Sequence, residues 1–223
     1  MLSELLIFQV DLIEQLPLIF SGLLKTLQLT VVVTLLGLLG GVCILYMRIS
    51  QNKLTRRAVE AYISFFIGVP LIVILFVVYY GLPQYGIRLS PFVVAVICFA
   101  LNVSAYNASY MFIAYQALDR KELEAAKAQG FNSFQVYRFV TLPQVLRTST
   151  PALSNQVISN LKDSSYAFMI GYTDVFARIQ ELASMNFQFF NAYLFAAIVY
   201  LVLVAVIVLF ARVVEKRFLL NEV

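Results

Sequence analysis

Apolar residues in this chain gather into long runs, near 20–47, 58–82, 91–118, 151–173 and 191–214. Four of these meet or approach the roughly 20 residues that a helix needs to cross about 30 Å of hydrocarbon, and a fifth qualifies only in part. They lack the two-residue alternation of barrel strands, the other way to satisfy backbone groups in lipid. The pattern therefore predicts an all-α fold, an integral membrane helix bundle of about five transmembrane helices. Pro91 and Pro151 stand where helix starts tolerate proline, and the turn-rich Gly81-Leu82-Pro83-Gln84-Tyr85-Gly86 separates the second run from the third. Gly68-Val69-Pro70 interrupts the second run and predicts a bend whose freed carbonyls must face protein or water. Before Pro17, the spacing of Leu2, Leu5, Leu6, Ile13 and Leu16 predicts a helix lying along the bilayer surface.

Composition sharpens this picture. Of 223 residues 61% are apolar and 13% charged, against roughly 45–50% apolar in soluble domains. His and Trp are absent, which removes the commonest general base and metal ligand, so no metal site is expected and enzyme readings start at a disadvantage. Cys43 and Cys98 fall inside apolar runs and read as reduced packing residues. The sixteen Lys and Arg form no single stripe suited to nucleic acid but punctuate the ends of apolar segments. Arg48, Lys53, Arg56 and Arg57 follow the first run; Arg120, Lys121, Lys127, Arg138 and Arg147 follow the third; Arg212, Lys216 and Arg217 follow the last. Only Arg88 and Arg178 lie in the alternate connections, while Lys25 and Lys162 fall within proposed spans. The excess marks the cytoplasmic side, so the N-terminus is expected outside and the C-terminus in the cytoplasm. No Lys or Arg occurs in the first nineteen residues, so no cleavable leader is expected. One domain, 1–223, is expected.

Polar residues inside spans carry the functional signal. Asn155, Ser159 and Asp163 recur every fourth residue in the fourth run, as do Gln156 and Asn160, giving an arc that must face protein or a hydrated passage. We expect Asn155, Ser159, Asn160 and Asp163 to contact a solute or its waters, with Lys162 a structural counter-ion. An interhelical hydrogen-bond network is the bland alternative. Asn102, Tyr106 and Ser109 share one face of the third span and either border the same passage or bond to neighbouring helices. Gly37, Gly40 and Gly41 permit close helix contact in the first span.

The internal connection, 119–150, is the strongest motif. A short helix rich in Glu, Ala, Lys and Gln ends at Gly130, suited to a left-handed conformation. A second short helix starts at Asn132, with Gln135 three residues on as in a capping box, and is expected to end at Leu142-Pro143. The alanine surface and the aromatics Phe131, Phe134 and Tyr137, expected to be exposed, suit docking to another protein; Glu124 and Lys127 read equally as a solvated pair.

Glu124-Ala125-Ala126, Gly130 and Leu142-Pro143 resemble the EAA loop of permease subunits in type I ATP-binding-cassette importers. Tyr79-Tyr80-Gly81-Leu82-Pro83, Leu142-Pro143-Gln144, Leu161-Lys162-Asp163-Ser164-Ser165 and Ile170-Gly171 resemble the polar-amino-acid uptake branch. The resemblance runs from Leu16 to Phe218. It implies that Glu124, Ala125, Ala126, Gly130, Leu142 and Pro143 couple the chain to an ATPase; the polar faces of the spans, and not the resemblance, place Tyr106, Ser109, Asn155, Ser159, Asn160 and Asp163 along the expected solute path. The resemblance further implies a second permease subunit, identical or homologous, two ATPase subunits that bind the ATP and Mg, and an external solute-binding protein. The place implied is a bacterial or archaeal cytoplasmic membrane. None of the nine glycines opens a phosphate-cradling G-x-x-x-x-G-K-[ST] loop, so no cofactor is expected on this chain.

The chain departs from the branch pattern at Ile67-Gly68-Val69-Pro70, where Arg-Gly-Thr-Pro is usual, and at Ala108-Ser109 and Phe112, where Ala-Glu and an Arg are usual. Lys121-Glu122 replaces Gly-Gln. These changes remove charges from the membrane region and point to a less solute-contacting subunit or a different solute. The rivals are a passive channel or scaffold, and an embedded enzyme using Lys162 and Asp163 as an acid/base couple.

Overall fold

A computed structural model describes residues 2–219, without the side chains of residues 2–7, 186 and 214–219. Leu2, Leu5, Leu6, Lys216 and Arg217 thus lie outside the described side chains. The described backbone is helical throughout, with turns and no strand: α1 (Leu2–Arg48), α2 (Lys53–Gly68), α3 (Leu71–Gly81), α4 (Pro91–Gln116), α5 (Arg120–Ala128), α6 (Ser133–Val136), α7 (Leu142–Asp163), α8 (Val175–Asn186) and α9 (Phe189–Leu219). Among the described residues Phe8–Arg48, Pro91–Gln116 and Phe189–Val213 are long and apolar enough to cross a membrane, and α2 with the segment from Leu71 to Tyr85 passes only as a pair bent by 98°, a broken span or a re-entrant loop, against the five spans expected. α7 does not join this set by composition, because its polar arc dilutes its apolar residues.

Prolines behave differently from expectation at three places. Pro17 lies inside α1, so the N-terminal segment and the first span are one continuous helix. Pro151 lies inside α7 and does not start a helix. Just before it the hydroxyls of Ser149 and Thr150 donate to the carbonyls of Val145 and Leu146 at 2.7 and 2.8 Å, while Pro151 itself has no amide hydrogen for the Arg147 carbonyl. Leu142-Pro143 opens α7, which continues from α6 through a π-helical turn, Tyr137–Thr141. Pro143 thus lies within a continuous helical path, directly after the wider π-turn, and does not end it.

The chain forms two compact units. One comprises Met1–Val33, Ile72–Cys98 and Ile158–Leu209. Its core packs Phe8 and Ile19 of α1 against Val175, Ile179, Leu182 and Ala183 of α8 and Ala192 and Ala196 of α9. Gly22 allows the approach, since a Cβ there would lie 2.7 Å from the Asp174 carbonyl oxygen. The Thr26 hydroxyl accepts from the Val175 amide at 3.1 Å, and the Tyr172 hydroxyl donates to the Lys25 carbonyl at 3.0 Å. Helix α8 was not foreseen. Its signals were local: Asp174 caps it by accepting from the Ala177 amide at 2.8 Å, and Val175, Ile179, Leu182 and Ala183 repeat at helical spacing.

The other unit comprises Thr34–Leu71, Phe99–Val157 and Phe210–Val223. Ile44 of α1, Val59 and Ile63 of α2, and Ala105 and Ala108 of α4 form one cluster. The bend at Gly68-Val69-Pro70 occurs as expected. Pro70 has no amide hydrogen for the Phe66 carbonyl, and the Asn102 side-chain amide donates to that oxygen at 2.6 Å. Asn102 therefore takes the helix-bonding role that was one of its two readings. In lipid such polar and close-packed contacts matter more than apolar burial, because hydrocarbon solvates an exposed Leu as well as protein does.

Candidate functional site

Local chemistry builds the hairpin between α4 and α7. Asp119 caps α5 by accepting from the Lys121 amide at 2.9 Å. The helix ends where the Gly130 amide donates to the Lys127 carbonyl and the Phe131 amide to that of Ala126, with Gly130 at φ 87°. This Schellman ending needs a residue that tolerates positive φ. Asn132 and Gln135 then form the expected capping box: the Gln135 amide donates to Asn132 Oδ1 at 2.9 Å and the Asn132 amide to Gln135 Oε1 at 2.8 Å.

Glu124, Ala125, Gly130 and Pro143 are exposed, Leu142 is half-buried and Ala126 is buried. Ala126 thus faces the protein while Glu124 and Ala125 face outward. The Gln144 side-chain amide donates to Glu122 at 2.6 Å, tying α5 to the start of α7. Phe131 and Phe134 are exposed as expected, but Tyr137 is not: it is 5% accessible and its hydroxyl donates to the Val42 carbonyl of α1 at 2.7 Å. A phenol reads as surface or core from sequence alone; the acceptor on α1 decides it. Burial pushes its pKa well above the usual phenol range, so it stays a donor. Phe112, where the branch usually carries Arg, lies under the Arg48 guanidinium at 3.8 Å, a cation–π contact.

On α7, Asn155 and Lys162 are exposed, Ser159 and Asp163 are half-buried and Asn160 is buried with a bonding partner. Of the periodic arc, Asn155, Ser159 and Asp163 lie on an open or half-open helix face, while Gln156 and Asn160 are turned to protein. On α4, Tyr106 and Ser109 are half-buried, and the Ser109 hydroxyl donates to the Ala105 carbonyl of its own helix at 2.9 Å. Tyr106, Ser109 and Asn155 fall in one unit and Ser159, Asn160 and Asp163 in the other. Lys25, passed over in sequence, donates to the Thr173 hydroxyl at 2.5 Å. Among the described residues no group of three His, Cys, Asp or Glu could hold a metal ion.

A capped hairpin built on an Ala-rich helix, beside membrane helices of which one carries a polar face, is matched by known proteins. Residues 34–220 match the family described as binding-protein-dependent transport system inner membrane component. The chain belongs to this family. The permease is 32% identical over 206 residues to the probable amino-acid ABC transporter permease protein YckA of Bacillus subtilis, covering 92% of this chain and 91% of that one. It is 31% identical over 211 residues to the arginine transport system permease protein ArtQ of the same organism, covering 94% and 96%. A crystal structure of an amino acid ABC transporter with histidines superposes with a TM-score of 0.84 at 32% identity, covering 93% of this chain and 97% of that one. The inward-facing MetNI methionine transporter shares the fold, with a TM-score of 0.74 at 18% identity.

The permease is accordingly a multi-pass component of the cytoplasmic membrane that takes part in transport and is not an enzyme. Membership in the family places it among a partner permease, an ATPase and a binding protein, and ATP is bound by the ATPase partners.

Proposed function

We propose that this permease imports a small polar amino acid through five membrane crossings, N-terminus outside and C-terminus in the cytoplasm, as a single type I transmembrane domain, 1–223. The 119–150 hairpin docks on one of two ATPase subunits, using Glu124, Ala125, Ala126, Gly130, Leu142 and Pro143. A second permease, identical or homologous, completes the solute path, and an external binding protein delivers the cargo. The observation that carries this reading is the polar face of α7: Asn155, Ser159 and Asp163 recur every fourth residue and none is buried. A membrane helix cannot leave such a face to lipid, so water, solute or a partner chain must cover it. Tyr106 and Ser109 of α4 contribute to the same path, and Lys162 serves as counter-ion. Amino acids are the cargo named for the relatives, which supports that class here.

ATP acts in such a system by binding one arrangement of the assembly better than another, and the hairpin transmits that preference. Purification from native membranes is expected to bring down an ATPase and a second permease chain with this one. Solute flux by the isolated chain alone would support the channel reading instead. Asn155→Ala and Ser159→Ala are expected to change relative uptake rates among amino acids by about threefold to tenfold, the worth of one polar contact, at unchanged abundance. Lost abundance with unchanged selectivity would make the arc a packing network.

A further inference from the structure

The hairpin returns to the rest of its unit through a buried cluster in which Tyr137 and Val145 pack with Leu45 of α1 and Met111 and Ala114 of α4, and Tyr137, which neither docking nor the solute path uses, adds a hydrogen bond to α1. Tyr137 follows α6 directly and begins the π-helical turn, where the Leu142 amide donates to the Tyr137 carbonyl five residues back. Its ring packs on Tyr46 of α1 with centroids 4.8 Å apart, and Tyr46 in turn meets Phe134 edge-on at 6.0 Å. Its hydroxyl bonds to Val42, one turn before Tyr46 on the same helix. Beside this contact lies a cavity of about 420 Å³ lined by Tyr46, Lys127, Ser133, Tyr137 and Thr141, among others. Chain on both sides of Tyr137 thus borders open space, while Tyr137 itself is fixed.

A π-turn holds one residue more than an α-turn and reverts to α by a small shift of register, which makes it a compliant element. Here it feeds directly into α7, the helix that carries Asn155. We propose that Tyr137 is the positioning residue on which the coupling hairpin pivots: its hydroxyl pins the returning chain to Val42, and the adjoining π-turn passes the hairpin's movement into α7. Force applied at α5 then reaches α7 as motion about a fixed point. Without the pin the chain slips at Tyr137, and less of the movement reaches α7 through the remaining contacts of Val145 and the Glu122–Gln144 bond. This rests on the docking role given to the hairpin above.

The test uses the whole complex, with its ATPase and binding protein, in vesicles, and a carbon-14-labelled mixture of the twenty protein amino acids as probe. Tyr137→Phe keeps the ring and removes only the hydroxyl. Amino acid taken up per ATP hydrolysed is expected to fall about fivefold, the worth of one buried hydrogen bond, with the rate of hydrolysis unchanged and the unfolding temperature lower by only the few degrees that one such bond is worth. Wild-type uptake per ATP in this variant overturns the pivot. So does a fall in uptake and hydrolysis in the same proportion, with loss of folded complex, which would make Tyr137 a structural residue only. Ala125→Glu in the same vesicles separates the two ideas. Normal uptake by that variant sinks the docking role itself, whereas lost uptake beside a normal Tyr137→Phe sinks the pivot alone.

Discussion

Ala125→Glu and Gly130→Pro are each expected to cut ATP-driven uptake more than about tenfold while the chain reaches the membrane at wild-type abundance; the tenfold step corresponds to about 1.4 kcal/mol. Ala125 is exposed on α5 beside buried Ala126, so the longer side chain meets no obstacle within the chain. Its cost arises at the docked surface, where an unpaired carboxylate buried against a partner forfeits about 3–5 kcal/mol. Gly130 acts through the backbone. Its φ of 87° is closed to proline, whose ring holds φ near −65°, and its amide bond to the Lys127 carbonyl would vanish. The hairpin would be re-aimed without disturbing the membrane helices. Uptake and membrane abundance measured side by side check both variants, and normal uptake by either removes that residue from the docking surface.

Gly41→Leu is expected to destabilise the chain by about 2–3 kcal/mol, the usual range for overfilling a packed interior. A Cβ on Gly41 would stand 2.8 Å from the Asn107 Cβ, 3.1 Å from the Met111 Cε and 3.3 Å from the Ala108 amide nitrogen. The obstacle thus includes α4 backbone, which cannot swing aside as a side chain can. Gly37 and Gly40 repeat the pattern against Val103 and Ser104, so a wedge at Gly41 forces α1 and α4 apart along this stretch. Gly81→Ala is the control, because a Cβ there meets nothing within 4 Å, and its effect should stay within about 0.5 kcal/mol. Thermal unfolding in detergent compares the two. Equal unfolding temperatures would show that the glycine face is not a close contact.

Much of the hairpin was legible because its determinants are local. Gly130 bonds a carbonyl, and Asn132 and Gln135 each other's amides, three residues away, and pairs at that separation are visible in one dimension; the Asp119 cap is as local and was passed over. The same holds for α8, whose cap and spacing were present and were passed over. Prolines misled for the opposite reason. Whether Pro17, Pro143 or Pro151 stops, starts or merely interrupts a helix depends on what meets the carbonyls around it. At Pro151 the helix runs on through the proline from Leu142 to Asp163.

The amino-acid order alone determined that the chain lives in lipid and picked out the helices of 8–48, 91–116 and 189–213 as long enough to cross it, because length and apolarity are additive along a run; it did not separate the polar α7 or the bent pair α2 and α3 from them. It also placed a self-capped helical hairpin among basic residues, since capping and charge are short-range properties. Tertiary structure decided which polar groups are spent on holding the protein together and which stay free to act. Asn102 is spent on the Phe66 carbonyl that Pro70 cannot serve, and Tyr137 on Val42, 95 residues away. Asn155 instead stays exposed. A polar side chain's role follows from whether a partner lies within hydrogen-bonding reach, and that distance is set by the fold.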